Sequence, residues 1–102
     1  MRNHARLKGK PIRLAVLDYG LFQVHANDRI IGICGFVIQT NAGETVLIDT
    51  GFPQKYADDA EAATAQDDLG SFGRALSVTH DNMPLAQLAK LGITPSDINL
   101  MI

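Results

Sequence analysis

The sequence is poor in the residues that disulfide frameworks, metal clusters and membrane spans require. Its 102 residues include one cysteine, three histidines and no tryptophan. Because Cys34 has no partner for an internal disulfide, we expect a reducing compartment and a cytoplasmic protein. The apolar residues around Cys34 predict that its thiol is buried and inert. No apolar run approaches the ~18 residues of a membrane-spanning helix, and Leu14–Leu17 is too short for a signal peptide, so we expect no membrane partner.

A positive field is also missing. The formal net charge is −2 and the isoelectric point is about 5.8, which argues against a nucleic-acid partner. Hydrophobic residues make up 46% and charged residues 20%, a composition typical of a folded domain. The cations gather at the start of the chain, so we predict a flexible basic segment over residues 1–12 and one partial domain over residues 13–102.

The first half of the chain is rich in β-forming residues. The pattern predicts a strand at 13–18, a turn at Tyr19–Gly20, a second strand at 21–25, a long strand at Ile30–Thr40 and another at Thr45–Asp49. These segments together predict an antiparallel meander.

The second half changes to helical spacing. Lys55–Gln66 predicts a helix whose apolar face is mostly alanine, and the turn-rich residues 67–82 predict a surface loop. Pro84 and Gly92 mark the first turn and the stop of a further helix. Thr94–Asp97 carries a capping-box pattern and predicts one helical turn.

The last residues, Asn99–Ile102, predict a strand. No turn residue or polar terminator follows them. A sheet with these few helices also leaves one face uncovered. We therefore expect that the chain is cut before its domain is complete.

The most specific stretch is Thr45–Pro53, T-V-L-I-D-T-G-F-P. Its apolar residues do not alternate with polar ones, which indicates a strand buried on both faces. Asp49, Thr50 and Gly51 follow at once, so the carboxylate lies on a rigid strand end at the rim of the core, where site residues gather. The alternative is a purely structural turn in which Asp49 caps backbone amides.

Two segments in this order resemble the N-terminal part of the metallo-β-lactamase-fold hydrolases. They are Leu47–Gly51 after a hairpin and Leu88–Ile98 downstream, and the resemblance covers about residues 13–102. The closest similarity is to the N-acyl homoserine lactonase-like branch. It implies an α/β fold, the N-terminal half of a four-layer αββα sandwich, and a metal-dependent hydrolase of lactones or related esters. It further implies two divalent metal ions, with zinc expected, and a homodimer.

The resemblance also implies roles for single residues. Asp49 matches an aspartate that lies beneath the metal site and orients it without being a ligand, and Thr50 and Gly51 complete that motif. Phe52 and Tyr56 come next and are expected to line the substrate pocket.

The family's metal ligands have no counterpart here. In the family, the strand that matches Asn99–Ile102 leads into a His-x-His-x-Asp-His loop, and this chain ends before it. The spacing of His4, His25 and His80 fits no compact metal motif. We expect no catalytic or metal-binding residue within the chain and no activity of the chain alone. The rival hypothesis is a self-contained, small β-rich binding or oligomerisation module without catalysis.

Overall fold

The computed structural model describes residues 7–102. Three consecutive strands form the predicted antiparallel meander: β1 at Pro11–Val24, β2 at Ile30–Thr40 and β3 at Thr45–Ile48. Their β-branched and bulky apolar residues favour a pleated, largely buried surface. The meander has three strands instead of four, because β1 is one continuous strand.

The predicted turn at Tyr19–Gly20 is wrong, since the chain passes through it without reversing. Asp18 pairs with Cys34 and Gly20 pairs with Ile33, so Tyr19 is an extra residue on β1 and forms a β-bulge. Gly20 has φ +110°, and its N–H donates to Asp18 Oδ1 at 3.0 Å. A glycine inside an apolar run indicates a bulge as well as a turn, and here the strand continues.

The helical region also differs in detail. Instead of one helix over Lys55–Gln66, α1 covers Lys55–Asp58 and α2 covers Ala60–Gln66. Asp59 separates them in an extended conformation, and its side chain accepts the Ala62 N–H at 3.1 Å. An aspartate that caps a new helix start therefore competes with continuation of the first helix.

The prediction of a loop over residues 67–82 is wrong for its middle part. Residues Gly73–Ser77 form β4, which pairs antiparallel with β1. A 3₁₀ turn at His80–Asn82 follows. The remaining elements are α3 at Pro84–Lys90, the predicted single turn at Pro95–Asp97, and β5 at Leu100–Met101.

The five strands form one mixed sheet in the order β4-β1-β2-β3-β5. Only the β3–β5 pair is parallel, with Val46 opposite Leu100. Asn99 Oδ1 accepts the Thr45 N–H at 2.7 Å at the start of this pair. Because the two strands run in the same direction, their carboxyl ends meet at one edge of the sheet.

The hydrophobic core lies on one face of the sheet. It joins side chains of β1, β2 and β3 to α3 and the segment after it, and its buried members are Leu17, Tyr19, Val37, Leu47, Leu88 and Ile93. Successive strand residues point to opposite faces. The α-helices of the described chain are at most seven residues long, and none is long and apolar enough to cross a membrane.

The other face of the sheet is open to solvent along β1, whereas Val46 on β3, which faces the same side, is 3% exposed. Leu14 and Val16 on β1 are 62% and 63% exposed. Phe36 and Ile38 lie opposite them on β2, and Cys34 lies on the same face. We call these five residues of β1 and β2 the open sheet face. The prediction that Cys34 is buried is wrong, because its strand position faces this uncovered side and the thiol is exposed.

Candidate functional site

Asp49 forms a sharp turn directly after β3. It adopts φ +68°, a left-handed conformation that aspartate tolerates better than most residues. Its Oδ1 accepts the Gly51 N–H at 2.8 Å, so one carboxylate oxygen closes the turn. Within residues 7–102 this is the one hydrogen bond of the Asp49 carboxylate, and the residue is exposed. The second oxygen therefore accepts no hydrogen bond from this part of the chain.

The ends of β3 and β5 converge on this turn. Leu47 O accepts the Ile102 N–H at 2.9 Å, and Ile102 O accepts the Asp49 N–H at 3.0 Å. The backbone of Asp49 is thus tied to Ile102, the residue directly after β5. Carboxyl ends of neighbouring parallel strands are the usual position of functional groups in α/β sheets.

Tyr19 lies directly beneath the turn. It is 1% exposed, and its hydroxyl donates to Asp49 O at 2.8 Å. Burial, then the negative charges of Asp49 and Cys34, raise the pKa of Tyr19 to about 12. The phenol is therefore protonated and a donor throughout the physiological pH range.

The bulge that carries Tyr19 is itself held by side chains. Gln87 Oε1 accepts the Asp18 N–H, and Asn82 Nδ2 donates to Asp18 O, both at 3.0 Å. Gln87 is only 7% exposed, and its Nε2 donates to Asp81 O at 2.8 Å. Sequence analysis missed both amides, although a glutamine among the apolar residues of α3 was a signal for a buried polar contact.

Thr50, the second residue of the motif, borders a groove on the α3 side of the sheet. The groove has a volume of about 460 Å³, and apolar side chains such as Leu47, Leu88 and Met101 line it. Thr50 is exposed at its rim.

An aromatic cluster adjoins the turn. The Phe52 ring lies 4.9 Å from the Tyr56 ring and 6.0 Å from the Phe22 ring, between ring centroids. Phe72 stacks on Phe22 at 5.7 Å and is 58% exposed. The structure therefore places Phe52 within the cluster, whereas Phe72 forms the outer surface of the cluster.

Tyr56 belongs to the interior of this cluster. It is 2% exposed, and its hydroxyl donates to the Asp67 carboxylate. Burial and the bond to Asp67 raise the pKa of Tyr56 to about 12. Its hydroxyl thus ties α1 to Asp67 at the end of α2, and its ring packs against Phe52.

The described residues do not make a metal centre. Between residues 7 and 102 no group of three or more histidine, cysteine, aspartate or glutamate side chains could hold a metal ion. His80 Nε2 pairs with Asp58 Oδ1 at 2.6 Å on the surface, and His25 is exposed after β1. His4 lies outside the described residues. The residues of this part of the chain therefore do not fit the two-metal centre that the resemblance implies.

Comparison with known proteins gives matches among solved structures. No family model matches the sequence, and no curated protein matches it. One similar structure is a single-residue variant of B. thuringiensis AiiA with N-decanoyl-L-homoserine bound at its active site, at 16% identity and a TM-score of 0.69. It is matched over 93% of this chain and 40% of that chain.

Two further structures agree with this match. An N-acyl homoserine lactone hydrolase with N-hexanoyl-L-homoserine at its catalytic metal centre is 15% identical, with a TM-score of 0.68 over 93% of this chain and 40% of that chain. A quorum-quenching N-acyl homoserine lactone hydrolase is 14% identical, with a TM-score of 0.63 over 93% of this chain and 37% of that chain. The chain spans about two fifths of the length of the structures it matches. At this identity the likeness shows the fold.

Proposed function

The chain has the architecture of part of a metallo-β-lactamase fold, and from this premise we propose that it is the N-terminal part of a metal-dependent lactonase. The substrates would be N-acyl homoserine lactones or related esters. The single observation that carries the proposal is the convergence of β3 and β5 on Asp49, whose N–H donates to Ile102 O at 3.0 Å. A ligand loop that follows β5 in a longer protein would begin beside the Asp49 carboxylate.

The proposal assigns a supporting role to the residues of this chain. One oxygen of Asp49 holds the turn through Gly51, and the other would accept a hydrogen bond from a residue of the metal-binding loop. Such a bond to a metal ligand orients the ligand and raises its basicity. Phe52 and the exposed Phe72 supply apolar surface beside the turn. The metal ions, with zinc expected, would take their ligands from residues outside 7–102.

The rest of the proposal concerns surroundings and assembly. We propose a cytoplasmic protein that forms a homodimer. Fractionation of cells tests the location, and sedimentation of the complete protein tests the homodimer.

The first experiment is to read the transcript beyond Ile102 and to express the complete protein. We expect a His-x-His-x-Asp-His loop soon after β5 and lactone hydrolysis that chelation abolishes. The isolated 102-residue chain should bind no stoichiometric zinc and hydrolyse no lactone. Zinc retained by the isolated chain after gel filtration, or turnover by it, would contradict the proposal.

The second experiment tests Asp49 in the complete protein. We expect Asp49→Ala to lower both metal content and lactone turnover by about 10- to 100-fold, the usual loss when a residue that orients a ligand is removed. Asp49→Asn should fall between, because the amide keeps the shape and loses one acceptor. Asp28→Ala is the matched control, since Asp28 also has a left-handed φ, +55°, and precedes the start of β2 at Ile30, whereas Ile48 beside the turn pairs with Phe36. Wild-type metal content and rate in Asp49→Ala would return Asp49 to a structural role.

The second candidate function is the self-contained binding or oligomerisation module. The Asp49 Oδ1 bond to the Gly51 N–H is the observation that favours it, since this bond alone accounts for an aspartate in the turn. An isolated chain that is monomeric, melts cooperatively and binds no hydrophobic dye would support this module.

A further inference from the structure

We propose that Tyr19 is a positioning residue that fixes the Asp49–Gly51 turn from beneath, and that the β1 bulge places it there. The effect on turnover rests on the proposed function, whereas the effect on the turn does not. Within residues 7–102 Tyr19 contacts no residue that we expect to bind a metal ion. Its action therefore passes through the backbone of Asp49.

Tyr19 belongs to β1 but reaches the turn at the end of β3. β2 lies between these two strands. The Tyr19 ring crosses β2 at Gly35, where an added Cβ would lie 2.6 Å from Tyr19 Cε2. The ring then packs against Gly51, where an added Cβ would lie 2.6 Å from the ring atoms. Both contacts require glycine, since real Cβ atoms do not approach other atoms this closely.

The Tyr19 hydroxyl fixes one peptide of the turn. It donates at 2.8 Å to the carbonyl oxygen of Asp49. That oxygen belongs to the peptide between Asp49 and Thr50, so the bond fixes the plane of this peptide. The same peptide lies inside the ring closed by the Asp49 Oδ1 to Gly51 N–H bond. A fixed peptide therefore fixes the direction of the carboxylate, and a freed peptide lets the turn rotate between conformations.

Tyr19 is fixed in position because neighbouring elements hold the bulge that carries it. As the extra residue of the bulge, it is not opposite a single β2 partner. Gln87 and Asn82 instead bind the N–H and carbonyl of Asp18, and Gly20 approaches β4 so closely that an added Cβ would lie 2.2 Å from Ser77 O. Contacts from α3, the 3₁₀ turn and β4 thus hold the bulge on three sides.

The test compares Tyr19→Phe with Tyr56→Phe in the complete protein. Each substitution removes one hydroxyl from a ring that is at most 2% exposed, but only the Tyr19 hydroxyl binds the Asp49 turn. We expect Tyr19→Phe to speed hydrogen exchange of the Gly51 amide by about 5- to 10-fold, the factor that corresponds to one lost protein hydrogen bond. The kcat for lactone should fall by a similar factor, with KM within about twofold. Tyr56→Phe should lower thermal stability and leave Gly51 exchange unchanged, because the Tyr56 hydroxyl binds Asp67 and not the turn.

A third variant tests the bulge itself. Asn82→Ala removes the amide that binds Asp18 O and should move Gly51 exchange in the same direction as Tyr19→Phe. Unchanged Gly51 exchange in both variants would overturn the inference, whatever the enzyme does. Equal acceleration of Gly51 exchange in Tyr19→Phe and Tyr56→Phe would overturn it as well. A complete protein without lactonase activity, but with faster Gly51 exchange in Tyr19→Phe, would overturn the proposed function and leave the role of Tyr19 in place.

Discussion

Charged residues on the open sheet face should reduce the self-association of the isolated chain without unfolding it. The perturbation is the double substitution Leu14→Glu and Val16→Lys, which leaves the net charge unchanged. The two positions are two residues apart on β1 and point to the same face. Because β4 pairs with β1 only at residues 21–24, these positions also lie on an unpaired sheet edge, where charges oppose edge-to-edge association.

The magnitude follows from the exposure of the two side chains. Full burial of a leucine or valine is worth about 1.5 to 3 kcal/mol. With 62% of Leu14 and 63% of Val16 still exposed, covering them would stabilise by about 1 to 2 kcal/mol each. Their sum, about 2 to 4 kcal/mol, is a large part of the ~5 to 15 kcal/mol that stabilises a whole domain. This free energy drives the isolated chain to associate or to bind an apolar probe.

The assay combines sedimentation, fluorescence of a hydrophobic dye and urea unfolding of the 102-residue chain. We expect the wild-type chain to associate and to bind the dye, and the double variant to be monomeric with much weaker fluorescence. Its free energy of unfolding should change by less than ~1 kcal/mol, as is usual for exposed positions. Leu17→Ala is the control, because Leu17 is 1% exposed on the opposite face of β1. It should cost about 2 to 5 kcal/mol and leave dye binding in place.

The same double variant has the opposite effect in the complete protein if a further layer covers the open sheet face. Two charges would then be buried, and the variant should lose several kcal/mol or fail to fold. A wild-type 102-residue chain that is monomeric and silent with the dye would refute the reasoning for the isolated chain. Unchanged stability of the complete double variant would refute the covering layer.

Two further predictions concern the turn and the helical region. Gly51→Ala should cost about 1 to 3 kcal/mol more than Gly43→Ala in urea unfolding, because both glycines have positive φ, +71° and +77°, but only Gly51 contacts a ring; equal costs would contradict the contact with Tyr19. Lys55 and Tyr56 lower the pKa of Asp67 below its usual value, so the carboxylate stabilises the fold above about pH 4 and loses this effect as the pH falls through its lowered pKa. Asp67→Asn should therefore lower the melting temperature at pH 7 by an amount that shrinks as the pH falls from about 4 through the lowered pKa of Asp67, and a pH-independent difference would contradict this.

The strands were predictable where composition alone decides the structure. The largely apolar runs at Ile30–Thr40 and Val46–Ile48 form β2 and β3 as expected. β4 was missed, because Gly73–Ser77 mixes arginine, alanine and serine and becomes a strand only through pairing with β1. Asp59 shows the same limit, since it permits either a continuous helix or a new helix start.

The candidate site was predictable only in part. The Asp-Thr-Gly sequence after a buried strand located the turn, since strand ends carry local signals. The contacts that hold the turn are tertiary: Tyr19 is 30 residues away from Asp49, and Gln87 is 69 residues away from Asp18. No local pattern marks such pairs, and the bulge that brings Tyr19 into place has the same glycine signature as a hairpin turn.

The parallel β3–β5 pair has a consequence for synthesis on the ribosome. The meander is built from neighbouring segments and can form as soon as β3 has emerged. The edge of β3 that pairs with β5 stays unpaired until β5 has been synthesised, because Thr45 and the Asn99 side chain that binds its N–H are 54 residues apart. At ~5 to 20 residues per second this interval lasts about 3 to 11 s. During it an apolar strand edge is unpaired and can associate with other chains, so the length of the segment between β3 and β5 sets how long this edge stays exposed.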